Sequence, residues 1–222
     1  GAQVIVLDDL SVGTRKNLED CLNSPLCQLV EGSILEAPLV ERWTEGAEAI
    51  FHLAVVCLRR SFDDPQQVHR VNTEGTLNLL EAARQRAPQL QRFLYCSSSE
   101  VYGSALMAPM DEGHPCRPTT LYGASKLAGE FYTSSYSLSY GLPITIARPF
   151  NTYGPREHHQ GASGEVIPRF AVRIANGLPP GIFGSGQQTR DFTYVTDTVQ
   201  GLLRAAESEA TLGQAFNIAR GQ

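Results

Sequence analysis

The stretch "RPTTLYGASKLAGEFY", residues 117–132, decides how the chain is read. Thr119 or Thr120 supplies a hydroxyl able to cap a helix N-terminus. The residues that follow favour a helix, and on it Tyr122 and Lys126 stand four positions apart. Residues at that spacing are neighbours on one helical face. A tyrosine and a lysine so placed are either two solvated surface residues or a proton-transfer pair. The segments on either side bear on the choice.

Upstream, "RFLYCSSS" (92–99) reads as a strand running into hydroxyl groups, and downstream "PITIARP" (143–149) reads as another strand. Further back lie the short apolar runs "QVIVLD" (3–8), "CQLVEGS" (27–33) and "AIFHLAV" (49–55). Their length and β-branched content predict buried strands. "DDPQQVHRVNTEGTLNLLEAARQRA" (63–87) predicts a long helix with Val68, Val71, Leu77 and Leu80 on its apolar face. Pro65 suits its start and Pro88 the chain beyond its end. Alternating strands and helices predict an α/β fold, a doubly wound, Rossmann-like parallel sheet. Ligands of such sheets bind beyond the carboxyl ends of the strands. That region holds Asp8, Ser98 and the residues after Arg148. Beyond residue 150 the loops "NTYGPREHHQGASG" and "NGLPPGIFGSGQQ" predict a smaller lobe. The expected division is therefore a sheet-forming domain over 1–150 and a smaller segment over 151–222.

Composition narrows the function. Of 222 residues, 42% are hydrophobic and 18% charged, and the net charge is -5. Such a balance carries no basic footprint for nucleic acid or a membrane surface. No apolar run reaches the ~18 residues of a membrane span. The opening "GAQVIVLDDL" lacks the basic flank of a signal peptide. Five cysteines without metal-ligand spacing fit reduced thiols and predict a cytoplasmic protein. Cys57 and Cys96 read as core residues at strand ends. His158 and His159 lack a third ligand at a suitable spacing, so no metal site is expected.

Four stretches in fixed order, "CSSSEVYG" (96–103), the Tyr122–Lys126 helix, "ARPFNTYGPRE" (147–157) and "IFGSGQQTRDFTYVTD" (182–197), resemble the extended short-chain dehydrogenase/reductase family, specifically its NAD-dependent nucleotide-sugar epimerases and dehydratases. The resemblance covers essentially the whole chain. It makes 1–150 a dinucleotide-binding domain and 151–222 a substrate-binding segment. It implies transient oxidation of a sugar hydroxyl by NAD, with Tyr122 taking the proton. A free phenol has a pKa of about 10, so the expectation is that Lys126 and a cationic nicotinamide lower that of Tyr122. By resemblance Lys126 also holds the nicotinamide ribose, and Ser98 hydrogen-bonds the reacting hydroxyl. Glu100 has two readings: the acid of the family's 4,6-dehydratases and UDP-glucuronate decarboxylases, or a strand-end cap or salt bridge. Dehydratases commonly place an aspartate beside that acid, and here the position is Ser99.

The resemblance places Asp8 and Asp9 at the adenosine ribose, which favours NAD over NADP. Ser33 and Ile34 fall at the adenine, where the family usually has an acid before the aliphatic residue. Leu53 and Ala54 line the pyrophosphate side, Asn72 lies near the cofactor, and Pro149 and Phe150 pack beside the nicotinamide. On the substrate side Asn151 and Arg190 are expected at a nucleotide-diphosphate sugar, with the Arg190 guanidinium on phosphate and Phe183 near the base. A homodimer through two helices per subunit, about 65–86 and the Tyr122 helix, is also implied.

The family's glycine-rich turn precedes its ribose-binding acid by roughly 20 residues. Asp8 leaves no room for it, and "SVGTRKN" follows the acid. The expectation is that the chain starts at the second strand of the sheet and stops inside the substrate lobe. Two other readings bear on function. A non-catalytic nucleotide-binding module would be signalled by loss of Ser98, Tyr122 or Lys126, all of which are present. A classical single-domain dehydrogenase would not need "FNTYGP" or "TRDF".

Overall fold

The computed structural model describes residues 1–159, 161 and 164–221. In chain order the elements are β1 (Val4–Asp8), α1 (Glu19–Leu22), β2 (Cys27–Glu31), α2 (Ala37–Thr44), β3 (Ala49–His52), α3 (Arg60–Asp63), α4 (Pro65–His69), α5 (Gly75–Arg86), β4 (Arg92–Cys96), α6 (Leu121–Tyr140), β5 (Ile144–Pro149), β6 (Asn151–Tyr153), α7 (Val166–Ala175), β7 (Phe192–Tyr194), α8 (Val195–Glu207) and β8 (Ala215–Ile218). The five strands expected before residue 150 all form.

The strands pair in parallel throughout. β3-β4-β5-β8 make one sheet, β1 pairs with β2, and β6 pairs with β7. Among the described residues no ladder joins β1 to β3, so the doubly wound sheet is present as separate pieces. Apolar side chains on both strands stay exposed, Val4 and Ile5 on β1 and Phe51 on β3. What unites the pieces is helix packing. Leu7 of β1 and Ala54 beyond β3 pack on a cluster of Ile34, Val40, Val56, Val68, Val71 and Ala82. Leu79 of α5 packs on that cluster and also on the main core of Leu80, Phe93, Tyr95 and Ile144.

The helix expected from residue 65 contains a π-helical turn, Arg70–Glu74, between α4 and α5. Val68, Val71 and Leu80 are buried as expected, but Leu77 is exposed. The extra residue of a π turn changes which positions face inward after it. Asp64 caps α4 by accepting the Gln67 N–H at 3.0 Å.

Residues 195–218 do not stand apart as a substrate lobe. β8 extends the main sheet beside β5, with Ile146 opposite Ala215, and Leu202 of α8 packs on Leu94 and Ala147. The division at residue 150 is therefore crossed by the chain's return to the first sheet. Of the two cysteines read as strand-end residues, Cys96 does end β4, whereas Cys57 lies in the loop five positions past the end of β3. Among the described residues no cysteine is in a disulfide.

Candidate active site

β4 emerges into Ser97–Ser98, and a 3-10 turn over Ser99–Val101 follows. Ser98 is extended and accepts the Glu100 N–H at 3.2 Å, so it caps that turn. Its hydroxyl also hydrogen-bonds Tyr122. Capping and catalysis are compatible, since one hydroxyl has two acceptor lone pairs and a proton.

Thr120 is the cap of α6 and accepts the Gly123 N–H at 3.0 Å. Gly123 lets the helix approach closely: a Cβ there would come within 2.5 Å of the Glu100 carbonyl oxygen. The first turn of α6 is thereby pressed on the segment carrying Ser98 and Glu100. On its other side, Ser125 donates to the Tyr122 carbonyl at 2.7 Å and accepts from Asn72 Nδ2 at 3.0 Å. Asn72 also exchanges two hydrogen bonds with the Val56 backbone, at 2.7 and 3.0 Å. The Asn72 side chain is therefore spent inside the protein, joining the β3 loop to the Tyr122 helix.

Burial pushes the Tyr122 hydroxyl above the ordinary tyrosine range, and the Ser98 hydrogen bond only partly offsets this. Charges on Cys96, Glu100 and Cys57 push the same way as burial. Burial likewise brings the Lys126 ammonium down to about 8, against support from Cys96 and Glu130. The Lys126 Nζ stands 4.6 Å over the Tyr95 ring. Low dielectric disfavours the charged form of both groups, phenolate and ammonium alike.

Two clefts open in the structure, and neither is lined by Ser98, Tyr122 or Lys126. One is lined by Leu7, Asp8, Asp9, Ser33, Ile34 and Ala54, with Val56 and Val71 beneath. The four residues expected at the adenosine, Asp8, Asp9, Ser33 and Ile34, meet there with Ala54, expected on the pyrophosphate side, whereas its neighbour Leu53 is exposed. The other is a cavity of about 750 Å³ lined by Ser99, Glu100, Phe150, Asn151 and Arg190, among others. Pro149 precedes it at the end of β5. Arg190 is exposed, and neither Arg190 nor Glu100 forms an ion pair among the described residues. The salt-bridge reading of Glu100 thus has no partner there. Phe183 is not brought in: it is 83% exposed and does not line the cavity.

Sequence reasoning missed Asp191. Its carboxylate accepts the Arg220 and Gly221 N–H groups at 2.9 and 2.7 Å, and its carbonyl accepts from Asn151. It ties the segment after β8 to the cavity wall beside Arg190. The signal was its place in "TRDF", where the arginine drew the reading.

A parallel sheet with a serine at a strand end, beside a tyrosine one turn ahead of a buried lysine, is the arrangement expected of a short-chain dehydrogenase/reductase-like fold. The chain belongs to the NAD dependent epimerase/dehydratase family, whose model matches residues 1–219. It is 38% identical over 224 residues to the UDP-glucose 4-epimerase of Mycolicibacterium smegmatis, covering 100% of this chain and 70% of that one. Among solved structures, an epimerase from Methanothermobacter thermautotrophicus superposes with a TM-score of 0.93 at 35% identity, covering 100% of this chain and 66% of that one. A dTDP-glucose 4,6-dehydratase double mutant from Streptomyces venezuelae, with NAD bound, gives 0.92 at 30% identity, covering 99% and 67%. The chain thus spans about two thirds of the length of these relatives.

The Asp8 cleft fits the adenosine end of NAD. Two carboxylates at the end of β1 suit ribose hydroxyl donors, and no lysine or arginine lines the cleft to receive a 2′-phosphate. The same absence leaves a pyrophosphate without a balancing side-chain charge in that cleft.

Proposed function

We propose that the protein containing this chain is an NAD-dependent nucleotide-sugar epimerase, similar to UDP-glucose 4-epimerase, that works by transient oxidation to a keto-sugar. The observation that carries the reading is the hydrogen-bonded Ser98–Tyr122 pair, one turn from buried Lys126, beside a cavity containing Arg190. NAD supplies the acceptor and later donor of hydride. Tyr122 takes the proton from the sugar hydroxyl and returns it when the ketone is reduced. Ser98 hydrogen-bonds the same hydroxyl, and Lys126 favours the anionic tyrosine once oxidised nicotinamide adds its positive charge to the site. Asp8, Asp9, Ser33 and Ile34 hold the adenosine of the cofactor, Leu53 and Ala54 line its pyrophosphate, and Pro149 and Phe150 lie at the nicotinamide. Arg190 and Asn151 hold the nucleotide diphosphate. The exposed Phe131, Leu138 and Tyr140 of α6 support a homodimer through that helix. Cysteines outside any disulfide support a cytoplasmic location, and among the described residues no helix is long and apolar enough to cross a membrane.

Glu100 favours a second reading, a UDP-glucuronate decarboxylase or dTDP-glucose 4,6-dehydratase, because it lines the cavity without an ion-pair partner among the described residues. Ser99 in place of an acid weakens the dehydratase form. Incubating the full-length protein with UDP-glucose, UDP-glucuronate and dTDP-glucose, with products identified by NMR, separates these. Epimerised UDP-sugar supports the first reading, a pentose or 6-deoxy product replaces it with the second, and no conversion of any counts against both.

A further inference from the structure

The most deeply buried ion pair among the described residues lies behind the site and outside it. Arg148 of β5 forks onto Glu130 of α6, Nε to Oε1 at 2.8 Å and Nη2 to Oε2 at 2.6 Å. The two side chains are 9% and 5% exposed. The remaining guanidinium arm, Nη1, donates to the Tyr102 hydroxyl at 2.9 Å, and that hydroxyl donates to Asn217 Oδ1 at 2.7 Å. Asn217 Nδ2 donates to the Met110 carbonyl at 3.2 Å, and its backbone N–H donates to Glu112 at 2.8 Å. Met110 lines the large cavity; Arg148 does not.

We infer that Arg148, Glu130 and Tyr102 are positioning residues that set the approach of Tyr122 to Ser98. The inference rests on the reading of Tyr122 as the proton acceptor. Glu130 lies one helical turn beyond Lys126 and two beyond Tyr122, so the fork fixes α6 against β5 in height and rotation. Tyr102 lies four residues beyond Ser98, across the 3-10 turn, and is held by the same guanidinium. Both reacting hydroxyls are therefore referred to one planar cation that is hydrogen-bonded through each of its three nitrogens. A guanidinium with a bidentate partner has little freedom to slide, unlike an ammonium. Arg148 also precedes Phe150 and Asn151 on the same run of chain, so the cavity wall is referred to it as well.

Such a frame governs the chemical step more than ground-state binding, because a small displacement of a reacting group costs rate steeply. The test compares Tyr102→Phe and Tyr122→Phe in the full-length enzyme. Tyr102→Phe keeps the ring whose centroid lies 5.0 Å from the Arg148 guanidinium carbon and removes the hydroxyl's bonds to Arg148 and Asn217, and with them the link to Ser98's turn. The expected result is a kcat lower by about 10- to 100-fold with KM changed less than about twofold. The acid limb of the kcat profile should also move to higher pH, because the Ser98 hydrogen bond that pulls the Tyr122 hydroxyl down is loosened. Arg148→Lys keeps the charge, loses the fork and should give the same signature with a larger loss; if it does not fold, Tyr102→Phe alone decides. An unchanged kcat in Tyr102→Phe overturns the inference, as does a loss that leaves the acid limb in place. If Tyr122→Phe itself stays active, the underlying reading fails; if it is inactive while Tyr102→Phe is unaffected, only the positioning role fails.

Discussion

Asn72 and Ser125, 53 positions apart in sequence, are joined by a 3.0 Å hydrogen bond in the interior. The bond links the π-helical turn between α4 and α5 to the helix that carries Tyr122 and Lys126. Asn72 satisfies both backbone groups of Val56 with the rest of its amide, so a single side chain joins three segments.

Replacing Asn72 with alanine leaves those groups buried and unpaired. Unsatisfied buried polar atoms cost about 1–3 kcal/mol each, so a loss of roughly 2–4 kcal/mol is expected. Urea denaturation of wild type and Asn72→Ala measures it. A loss near zero would mean that water reaches Val56 and Ser125.

Lys126 should stabilise the site's chemistry and destabilise the fold. Its pKa falls from 10.5 to about 8 on burial. Between those values the unfolded chain binds more protons than the folded one, so stability rises with pH across that window. Below it the full penalty of the buried ammonium applies. Lys126→Met should therefore raise stability at neutral pH by about 1–3 kcal/mol while abolishing sugar conversion, and its stability should no longer rise above pH ~8.

His52 sets the acid side. It is 2% exposed, and burial, with Lys126 nearby, lowers its pKa from 6.5 to about 3. Thr76 donates its hydroxyl proton to the Asn72 carbonyl, so His52 Nε2 donates to Thr76 at 2.8 Å and Nδ1 remains a buried acceptor without a partner. The folded state keeps the ring neutral while the unfolded state protonates it below pH ~6.5. Stability is full above that value and is lost as pH falls toward 3, by roughly 3 kcal/mol at about pH 4.5. His52→Gln keeps an N–H donor and removes the titration; acid denaturation curves of the two proteins should diverge below pH ~6.

Tyr122→Phe in the full-length enzyme should lower kcat by about 10²- to 10⁴-fold, the range of a lost acid–base group. Ser98→Ala should fall less, because Tyr122 remains. Rates for both, with bound NAD quantified, distinguish lost chemistry from lost cofactor. Undiminished conversion by Tyr122→Phe would remove the basis of the proposed mechanism.

Isothermal calorimetry of the 222-residue chain with NAD should give a dissociation constant weaker than about 100 µM, a binding free energy of roughly -5 kcal/mol or less in magnitude. The Asp8 cleft presents two aspartates and no cation to a dinucleotide, and β1 and β3 each have one unpaired edge beside it. Micromolar affinity would show that backbone N–H groups already present are enough for the pyrophosphate.

Strand and helix order was legible in the sequence because it rests on local periodicity. Short β-branched runs can be buried only as strands of a covered sheet, and a capping threonine followed by good helix formers starts a helix at one place. The spacing of Tyr122 and Lys126 and the succession of motifs from Ser98 to Arg190 are linear properties, so the family was legible too. Tertiary structure decided what depends on distant groups meeting in low dielectric. No window of sequence shows that Asn72 is spent on Val56 and Ser125, that Glu130 and Arg148 close a fork behind the catalytic helix, or that Phe183 stays outside the cavity. Nor does spacing reveal that burial drives Tyr122 upward and Lys126 downward. The sign of a pKa shift is set by the balance of desolvation against charge, and that balance exists only once the chain has folded around the groups.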